Sequence, residues 1–308
     1  MYMKELTSDQ KWALSKMEEM QQEEGLSAAK VCGIVGISSS VCSSIRSGTY
    51  KGDVDKQLAK VIEYFKVKEA AADLYTGTGY KPTHISENVC KVLRNCQLQG
   101  GLAIACGEAG IGKTQACRQY NKEHNSCIMI TVNPCIKSSK SVLELIGSKV
   151  GVGAGSVSKM WRELSAKLTD GMLIIVDEAQ HLSRTTIESL RSLCDSFDER
   201  GQTLGICFVG NETTVSRLGG KQQAEFAQIR NRTRNTRFYS TSQIKKGDME
   251  LLFPEIKEDS AAIEFLLRVA QSSQAIRGAV NLYSNARDNG NVTLKGLSSM
   301  AKFMGLQV

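Results

Sequence analysis

The sequence of 308 residues predicts an α/β protein, in which a three-layer core with a parallel sheet lies between helical regions at both ends. In the centre of the chain, short apolar runs alternate with amphipathic helical stretches. The runs are apolar at mostly consecutive positions, as expected of strands that helices cover on both faces. The segments before and after the centre are helical in pattern. The expected strands are Leu102–Cys106, Cys127–Val132, Met172–Val176 and Leu204–Val209, with a fifth near Thr236–Tyr239.

Changes of pattern along the chain set the expected domain boundaries. Residues 1–75 are expected to form an N-terminal helical module, because apolar residues recur there at helical spacing. Residues 76–85 contain glycines and a proline and are expected to form a linker. The core would then span 86–243, and the C-terminal helices 244–308.

Composition narrows the function classes. The formal net charge of +7 is mild, so the placement of the cations matters more than their total. The ten cysteines form no CxxC pair and are accompanied by only three histidines, which argues against a disulfide scaffold and a structural zinc site. No apolar run approaches the roughly 18 to 20 residues of a membrane span, and the N-terminus lacks a signal-peptide core. We therefore expect reduced thiols and a cytoplasmic protein.

One stretch of the chain concentrates positive charge. Between Phe226 and Gly247 there are six cationic residues and no acidic one. Such a run is compatible with a solvated face, with a surface that contacts phosphates and with a subunit interface, and the sequence leaves all three open. The six residues are Arg230, Arg232, Arg234, Arg237, Lys245 and Lys246.

The segment from Gly107 to Thr114 reads GEAGIGKT and matches the phosphate-binding loop GxxxxGK[ST] in full. It follows a predicted strand and precedes a predicted helix. Glycines let successive backbone N–H groups turn toward phosphates, and the helix start adds its positive dipole end. Lys113 is expected to reach the β- and γ-phosphates of ATP, and Thr114 to bind Mg²⁺. The expected nucleotide-contacting residues are Gly107, Glu108, Ala109, Gly110, Ile111, Gly112, Lys113, Thr114 and Gln115.

Polar residues also follow two of the other predicted strands. Asp177 and Glu178 stand directly after an apolar run, at the sheet edge where open α/β sheets bind ligands. Asp177 is expected to hold Mg²⁺ through water, and Glu178 to act as general base on the attacking water. The alternative for this pair is a helix cap. Asn211 follows the next strand and is expected to help position the water, with a plain turn residue as its alternative.

The N-terminal module contains two short helical stretches, Val31–Val35 and Val41–Ile45, around the turn Gly36-Ile37-Ser38. We expect a helix-turn-helix-like unit whose second helix exposes short polar side chains. Such side chains bond phosphates but discriminate poorly between bases. A module that makes only protein contacts is the alternative. The expected DNA contacts are Ser39, Ser40, Ser43, Ser44, Arg46 and Lys51.

The motifs GEAGIGKT, LIIVDEAQHL and VGN occur in the order and spacing of the AAA+ ATPases, and the chain resembles that superfamily. Most of the chain is further similar to the family of ATP-dependent target-DNA activators that includes the B transposition protein of phage Mu. Glu225-Phe226-Ala227 and Ala275-Ile276-Arg277 contribute to this similarity, as does the helix-turn-helix-like region. The resemblance implies a P-loop AAA+ core with a small C-terminal helical lid, ATP and Mg²⁺ as cofactors, and hydrolysis of ATP.

The resemblance also implies roles for two arginines. Members of the family use an arginine of the neighbouring subunit to sense the γ-phosphate, and Arg232 matches its position, with Arg230 and Arg234 as competitors. Here the chain has Asn231-Arg232-Thr233, where the family has serine, arginine and isoleucine. Arg277 matches a lid arginine that contacts phosphates within its own subunit, and a structural salt bridge is its alternative.

The functional hypothesis is ATP-dependent and largely sequence-independent binding of double-stranded DNA. The resemblance implies a homo-oligomer, as a helical filament or ring, that delivers target DNA to a transposase in the cytoplasm of a bacterial host. Three alternatives remain open. They are a helicase loader or replication initiator, a regulatory switch ATPase that binds a specific operator, and a protein-remodelling ATPase.

Overall fold

The computed structural model describes residues 6–23, 26–76, 79–214 and 233–306. The chain divides into two compact units, Met1–Gly79 and Tyr80–Val308. The second unit therefore contains both the expected core and the expected C-terminal helices. The segment between the last helix of the first unit, which ends at Thr76, and the first helix of the second unit, which begins at His84, is shorter than the linker expected from the sequence.

The N-terminal unit is made of helices. Ser27 and Ser38 precede the second and third helices, and each accepts a hydrogen bond from the backbone N–H group three residues on, which satisfies an otherwise unpaired donor. These two helices meet at 105°, an angle that helix-turn-helix pairs adopt, and Gly36 between them has a φ of +78°. In the described ranges no single helix has the length and apolar composition of a membrane span, although this bent pair passes the same test as a unit. The helices are α1 (Ser8–Glu23), α2 (Ala28–Ile34), α3 (Ser39–Arg46) and α4 (Val54–Thr76).

The second unit is built on a five-stranded sheet in the order β2-β3-β4-β1-β5. Every pair of neighbours is parallel, which confirms the predicted fold class. The first four strands end within one residue of their predicted limits, and the fifth begins three residues earlier than predicted. The strands are β1 (Gly101–Gly107), β2 (Cys127–Thr131), β3 (Met172–Asp177), β4 (Leu204–Gly210) and β5 (Thr233–Tyr239).

Helices cover both faces of this sheet. Along β1, Ala103 and Ala105 point to one apolar cluster, whereas Leu102 and Ile104 point to the other. This alternation is the two-residue period of a strand, and it explains why the run is apolar at every position. The first cluster includes α5 (His84–Gln99) and α6 (Lys113–Glu123), and the second includes α7 (Ser139–Val150), α8 (Val157–Lys167) and α9 (Arg184–Asp198).

The C-terminal helices share an apolar core with the face of the sheet that α5 and α6 cover. Ile263 and Leu282, both fully buried, belong to the same cluster as the strand residues of that face. A polar contact adds to the attachment, because the backbone N–H of His84 donates to Asp248 Oδ1 at 2.7 Å. The elements are a 3₁₀ turn (Thr241–Gln243), α10 (Lys246–Leu252), α11 (Ser260–Gln271), α12 (Ala275–Asp288) and α13 (Leu294–Phe303).

The cysteines are reduced, and all ten lie in the described ranges. Eight of them are buried, Cys90 is half-buried and Cys135 is exposed. Burial raises the pKa of the thiols of Cys106, Cys117 and Cys207, so these side chains behave as small apolar groups.

Candidate nucleotide-binding site

The loop between β1 and α6 has the backbone shape that its glycines permit. Gly110 and Gly112 adopt φ values of +78° and +100°, in the left-handed region that favours glycine. At Gly107 a Cβ atom would lie 2.0 Å from the carbonyl oxygen of Tyr239, so only glycine allows β5 to approach this closely. Ile111 is fully buried and anchors the loop from beneath.

Lys113 lies inside the curve of this loop. Its Nζ donates to the carbonyl oxygens of Gly107 at 2.9 Å and Glu108 at 2.6 Å. Only 9% of the residue is exposed, and this burial lowers the pKa of the ammonium group, an effect that the carboxylates of Asp177 and Glu178 oppose. Phosphate oxygens are charged and carbonyl oxygens are neutral, so phosphate can replace these carbonyls as the hydrogen-bond acceptor of the desolvated ammonium group.

Thr114 and Asp177 bring the two expected magnesium ligands together. Thr114 Oγ1 donates to Asp177 Oδ2 at 2.9 Å, which joins the start of α6 to the end of β3. Asp177 is 3% exposed, and burial raises its pKa, while the Thr114 hydroxyl lowers it. Because a divalent cation stabilises a carboxylate, the buried charge of Asp177 fits a site for Mg²⁺.

Glu178 stands at the end of β3 in an unusual conformation. Its φ of +58° is left-handed, which costs a residue other than glycine about 1 to 2 kcal/mol. The exposed carboxylate accepts a hydrogen bond from Nε2 of Gln180. Gln180 Oε1 in turn accepts from the backbone N–H of Asn211 at 3.4 Å and from Thr214 Oγ1 at 3.5 Å. Gln180 thus connects the ends of β3 and β4.

Gln180 was not among the predicted site residues, since its only signal in the sequence is a polar side chain two residues after Glu178. In the structure its side chain is 9% exposed, and every polar end of the amide contacts the site. The approach is close, because a Cβ atom on Gly210 would lie 2.4 Å from Gln180 Oε1.

Asn211 takes part in the turn after β4. Its Oδ1 accepts hydrogen bonds from the backbone N–H of Thr213 at 3.0 Å and from Thr213 Oγ1 at 2.6 Å. The oxygen of the amide is therefore occupied by the turn, as the alternative interpretation expected. A role in positioning water, through Nδ2, stays a prediction.

The first residues of α12 lie against the phosphate-binding loop. The backbone N–H of Arg277 donates to the carbonyl oxygen of Gly110 at 3.1 Å, and a Cβ atom on Gly110 would lie 3.1 Å from Cβ of Ala275. Ala275 has a φ of +56°, so the chain is strained where the helix meets the loop. The Arg277 side chain is exposed and forms no ion pair with any residue of the described ranges, and its contact with phosphate stays a prediction.

These contacts fit a nucleoside triphosphate with Mg²⁺. The loop offers backbone N–H groups and one desolvated ammonium group, and its glycines allow β5 and the start of α12 to pack closely against it. Glu108 has a structural part, because its carboxylate accepts from the backbone N–H of Thr241 at 2.5 Å. Ala109 and Gln115 are exposed beside the loop.

The expected DNA contacts lie on the surface of the N-terminal unit. Arg46 is within 3.4 Å of Glu18 on α1, so its charge already has a partner. Ser44 is half-buried and donates to the carbonyl oxygen of Ser40 at 2.6 Å, which leaves it turned toward its own helix. The exposed members of the set are Ser39, Ser40, Ser43, Arg46 and Lys51.

The expected arginine that acts on the neighbouring subunit, Arg232, lies in a part of the chain that the structure does not describe. Arg230 and Arg232 lie outside the described residues, as does the segment 225–227, and the side chain of Arg234 is not described either. Of the rest of the basic run, Arg237 and Lys245 are exposed, whereas Lys246 is 3.6 Å from Glu264.

Comparison with known families and proteins agrees with this geometry. Residues 97–218 match the family model described as AAA domain. The chain is 27% identical to ATP-dependent target DNA activator B of Escherichia phage Mu over 248 residues, which cover 79% of this chain and 77% of that protein. It is 25% identical to the Mu-like prophage FluMu DNA transposition protein B of Haemophilus influenzae over 282 residues, 88% of this chain and 95% of that one.

Solved structures support the fold. The Cdc6p structure from Pyrobaculum aerophilum superposes with a TM-score of 0.55 and 14% identity, covering 73% of this chain and 68% of that one. The ORC2 protein of Aeropyrum pernix gives a TM-score of 0.51 at 14% identity, over 70% of this chain and 66% of that one, just under two thirds of its length.

Proposed function

We propose, on the premise that this chain is an AAA+ ATPase similar to the target DNA activators of Mu-like phages, that it captures double-stranded DNA and delivers it to a transposase. ATP binding would join copies of the chain into a filament or ring, and hydrolysis would release them. The DNA contacts would go mainly to the phosphate backbone and so depend little on sequence. The proposed setting is the cytoplasm of a bacterial host.

The observation that carries this proposal is the extent of the similarity. The match to the prophage transposition protein covers 88% of the chain, more than the ATPase unit Tyr80–Val308 contains. It therefore extends into the N-terminal unit, which a likeness confined to the ATPase core would leave unmatched. This favours a shared overall activity over a shared nucleotide site alone.

In the proposed reaction each polar group of the site has one task. Lys113 binds the β- and γ-phosphate oxygens, and Thr114 and Asp177 hold Mg²⁺, which would offset phosphate charge when bound. Glu178 orients the attacking water and accepts its proton on the carboxylate. Gln180 holds the Glu178 side chain at the end of β3. Arg277 is proposed to contact phosphate within the subunit.

The second proposed arginine comes from a neighbouring copy. Arg232 is our choice by its position in the sequence, and Arg230 and Arg234 are its competitors. An arginine supplied in this way would make the site complete only in the assembled state, which would couple ATP hydrolysis to assembly.

The test is fluorescence anisotropy of a long duplex of arbitrary sequence, with ATP, with ADP and without nucleotide. We expect binding that is tight with ATP only, stronger for longer duplexes and weakened by salt. The variant Glu178→Gln should hydrolyse ATP about 10² to 10⁴ times more slowly, because it lacks the general base, and should therefore keep the DNA-bound state for longer. Glu258→Gln, an exposed substitution with the same change of charge, is the control.

Two outcomes would overturn the proposed DNA binding, and a third would overturn the role given to Glu178. An absence of DNA binding in every nucleotide state would retire the capture of DNA while leaving the ATPase in place. A strong preference for one sequence at moderate salt would favour the operator-binding alternative instead. Turnover of Glu178→Gln at the rate of the control would remove Glu178 from the role of general base.

A further inference from the structure

A groove of the second unit lies away from the phosphate-binding loop along the outer edge of the sheet. It encloses about 630 Å³ between α5, β5 and the segment that leads into α10. We call it the β5 groove. Lys91 and His84 line it from α5, Arg237 and Asn235 from β5, and Lys245 from the start of α10.

The charges of the β5 groove are of one sign. No acidic side chain lines it, whereas three exposed cationic residues do, Lys91, Arg237 and Lys245. Within the described ranges none of these three forms an ion pair. Other cations of the same unit do, as Arg191 does with Glu188 at 2.8 Å. Exposed like charges that are not used in ion pairs favour binding of an anion.

The shape of the groove is fixed by a buried carboxylate beneath it. Asp248 is 5% exposed and accepts the backbone N–H groups of His84 at 2.7 Å and Lys245 at 2.8 Å. Each of its two oxygens thus accepts one backbone hydrogen bond, one from the start of α5 and one from the residue before α10, and these bonds hold the two helices together. The cationic side chains are presented by a rigid frame, and rigidity lowers the entropy lost on binding.

We propose that the β5 groove binds the phosphodiester backbone of DNA. This rests on the proposed function and adds to it a second contact surface, in the ATPase unit. Apart from the apolar Val92 and Phe238, the remaining lining residues carry amides or hydroxyls, groups that donate to phosphate and sugar oxygens; they include Asn88, Asn95 and Ser242. Contacts to phosphate and sugar carry no sequence information directly, so the expected binding in the groove depends little on sequence.

The groove is also joined to the nucleotide loop through β5. Tyr239, at one end of the groove, accepts the backbone N–H of Glu108 on its carbonyl oxygen at 3.0 Å. The Glu108 carboxylate accepts from Thr241 in the next turn. DNA in the groove therefore contacts the strand that supports the loop. If ATP favours DNA binding, DNA must favour ATP binding by the same factor.

The experiment replaces the three cations together, in the full chain, by Lys91→Gln, Arg237→Gln and Lys245→Gln. Binding to a long duplex is measured with ATP at a series of salt concentrations. Each lost phosphate contact lowers the slope of log affinity against log salt by about 0.9, so we expect a decrease of roughly 2 to 3. The affinity at 0.1 M salt should fall at least about tenfold.

A matched triple variant, Lys149→Gln, Lys167→Gln and Lys302→Gln, makes the same change of net charge at exposed positions away from the groove. Its slope should stay close to that of the unmodified chain. Circular dichroism and ATP affinity, expected to be unchanged in both variants, show that the fold and the nucleotide site are intact.

The outcomes separate this inference from the proposed function. If the unmodified chain binds DNA and both triple variants bind it with the same slope, the groove is not a DNA contact while the proposed function stands. If the groove variant keeps its DNA slope but fails to assemble with ATP, the groove binds an acidic protein surface and the inference is overturned. If the unmodified chain binds no DNA, both proposals fail together.

Discussion

The nucleotide loop and helix α3 of the N-terminal unit both present polar side chains, but they hold them differently. Lys113 and Asp177 are 9% and 3% exposed, and each is fixed by a hydrogen bond to another part of the site. Ser39 and Ser43 on α3 are exposed, and Arg46 is paired with the exposed Glu18. Buried polar groups have few possible partners, so geometry restricts their role, whereas exposed groups leave the partner open.

The difference also has a cost in stability. Burial lowers the pKa of Lys113 and raises that of Asp177, so near neutral pH each charged form is less favourable in the folded chain than in water. For Asp177 this means that its contribution to stability is greatest below the ordinary aspartate pKa of 3.8 and is lost as the pH rises through the raised value. The charged forms of Lys113 and Asp177 are therefore unfavourable for folding, which is expected of residues that are present for function.

The largest effect is expected where the loop is most constrained. Lys113→Ala removes a buried ammonium group and its phosphate contacts, so ATP affinity should fall by at least about 100-fold. The melting temperature without nucleotide should be unchanged or higher, because a desolvated charge is removed. Isothermal titration calorimetry and thermal unfolding measure the two quantities. Lys122→Ala, an exposed position of the same helix, is the control, and equal ATP affinity in both variants would refute the assigned site.

An intermediate effect is expected at the link between β3 and β4. Gln180→Leu removes the hydrogen bond to Glu178, so kcat should fall about tenfold while ATP affinity stays the same. Gln180→Glu places a second carboxylate beside Glu178, which should move the acid limb of the pH profile of kcat to higher pH.

A purely structural role for Gln180 predicts a different pattern. Both substitutions would then lower the melting temperature, and neither would move the pH profile. Rates are best compared at saturating ATP, so that changes in affinity do not enter kcat.

The smallest effect is expected on the exposed helix. Arg46→Ala breaks the surface ion pair with Glu18, so the free energy of unfolding should change by less than about 1 kcal/mol. If Arg46 contacts DNA, the salt dependence of DNA binding should lose about 0.9 in slope. Lys11→Ala, an exposed cation of the same unit, is the control. If the two variants show the same slope of log DNA affinity against log salt, Arg46 is not a DNA contact.

Much of the ATPase unit could be predicted because its signals are local. A strand covered on both faces is apolar along its length, and the phosphate-binding loop is a short pattern with fixed neighbours. Asp177 and Glu178 could be placed near the loop because parallel strands end at the same edge of the sheet. The contact between Thr114 and Asp177, 63 positions apart, followed from that rule.

Other features depend on contacts that no local pattern encodes. Gln180 contacts Asn211, which directly follows β4 and lies 31 positions away in the sequence, whereas the sequence position of Gln180 resembles that of any polar residue in a turn. The beginning of β5 was placed three residues too late, because its first residues are polar and the strand lies at the edge of the sheet. The β5 groove joins residues of α5 with residues more than a hundred positions later, so the sequence showed only an unassigned basic run.

One detail of the cysteine distribution gives the chain a practical property. Cys135 follows β2, whose last residue Thr131 is paired with Asp177, so the single exposed thiol among ten lies beside the catalytic edge of the sheet. The buried thiols react slowly with alkylating reagents, because reaction needs an accessible thiolate. A maleimide dye should therefore label the unmodified chain mainly at one point, and nucleotide exchange could be followed by fluorescence without first removing nine cysteines.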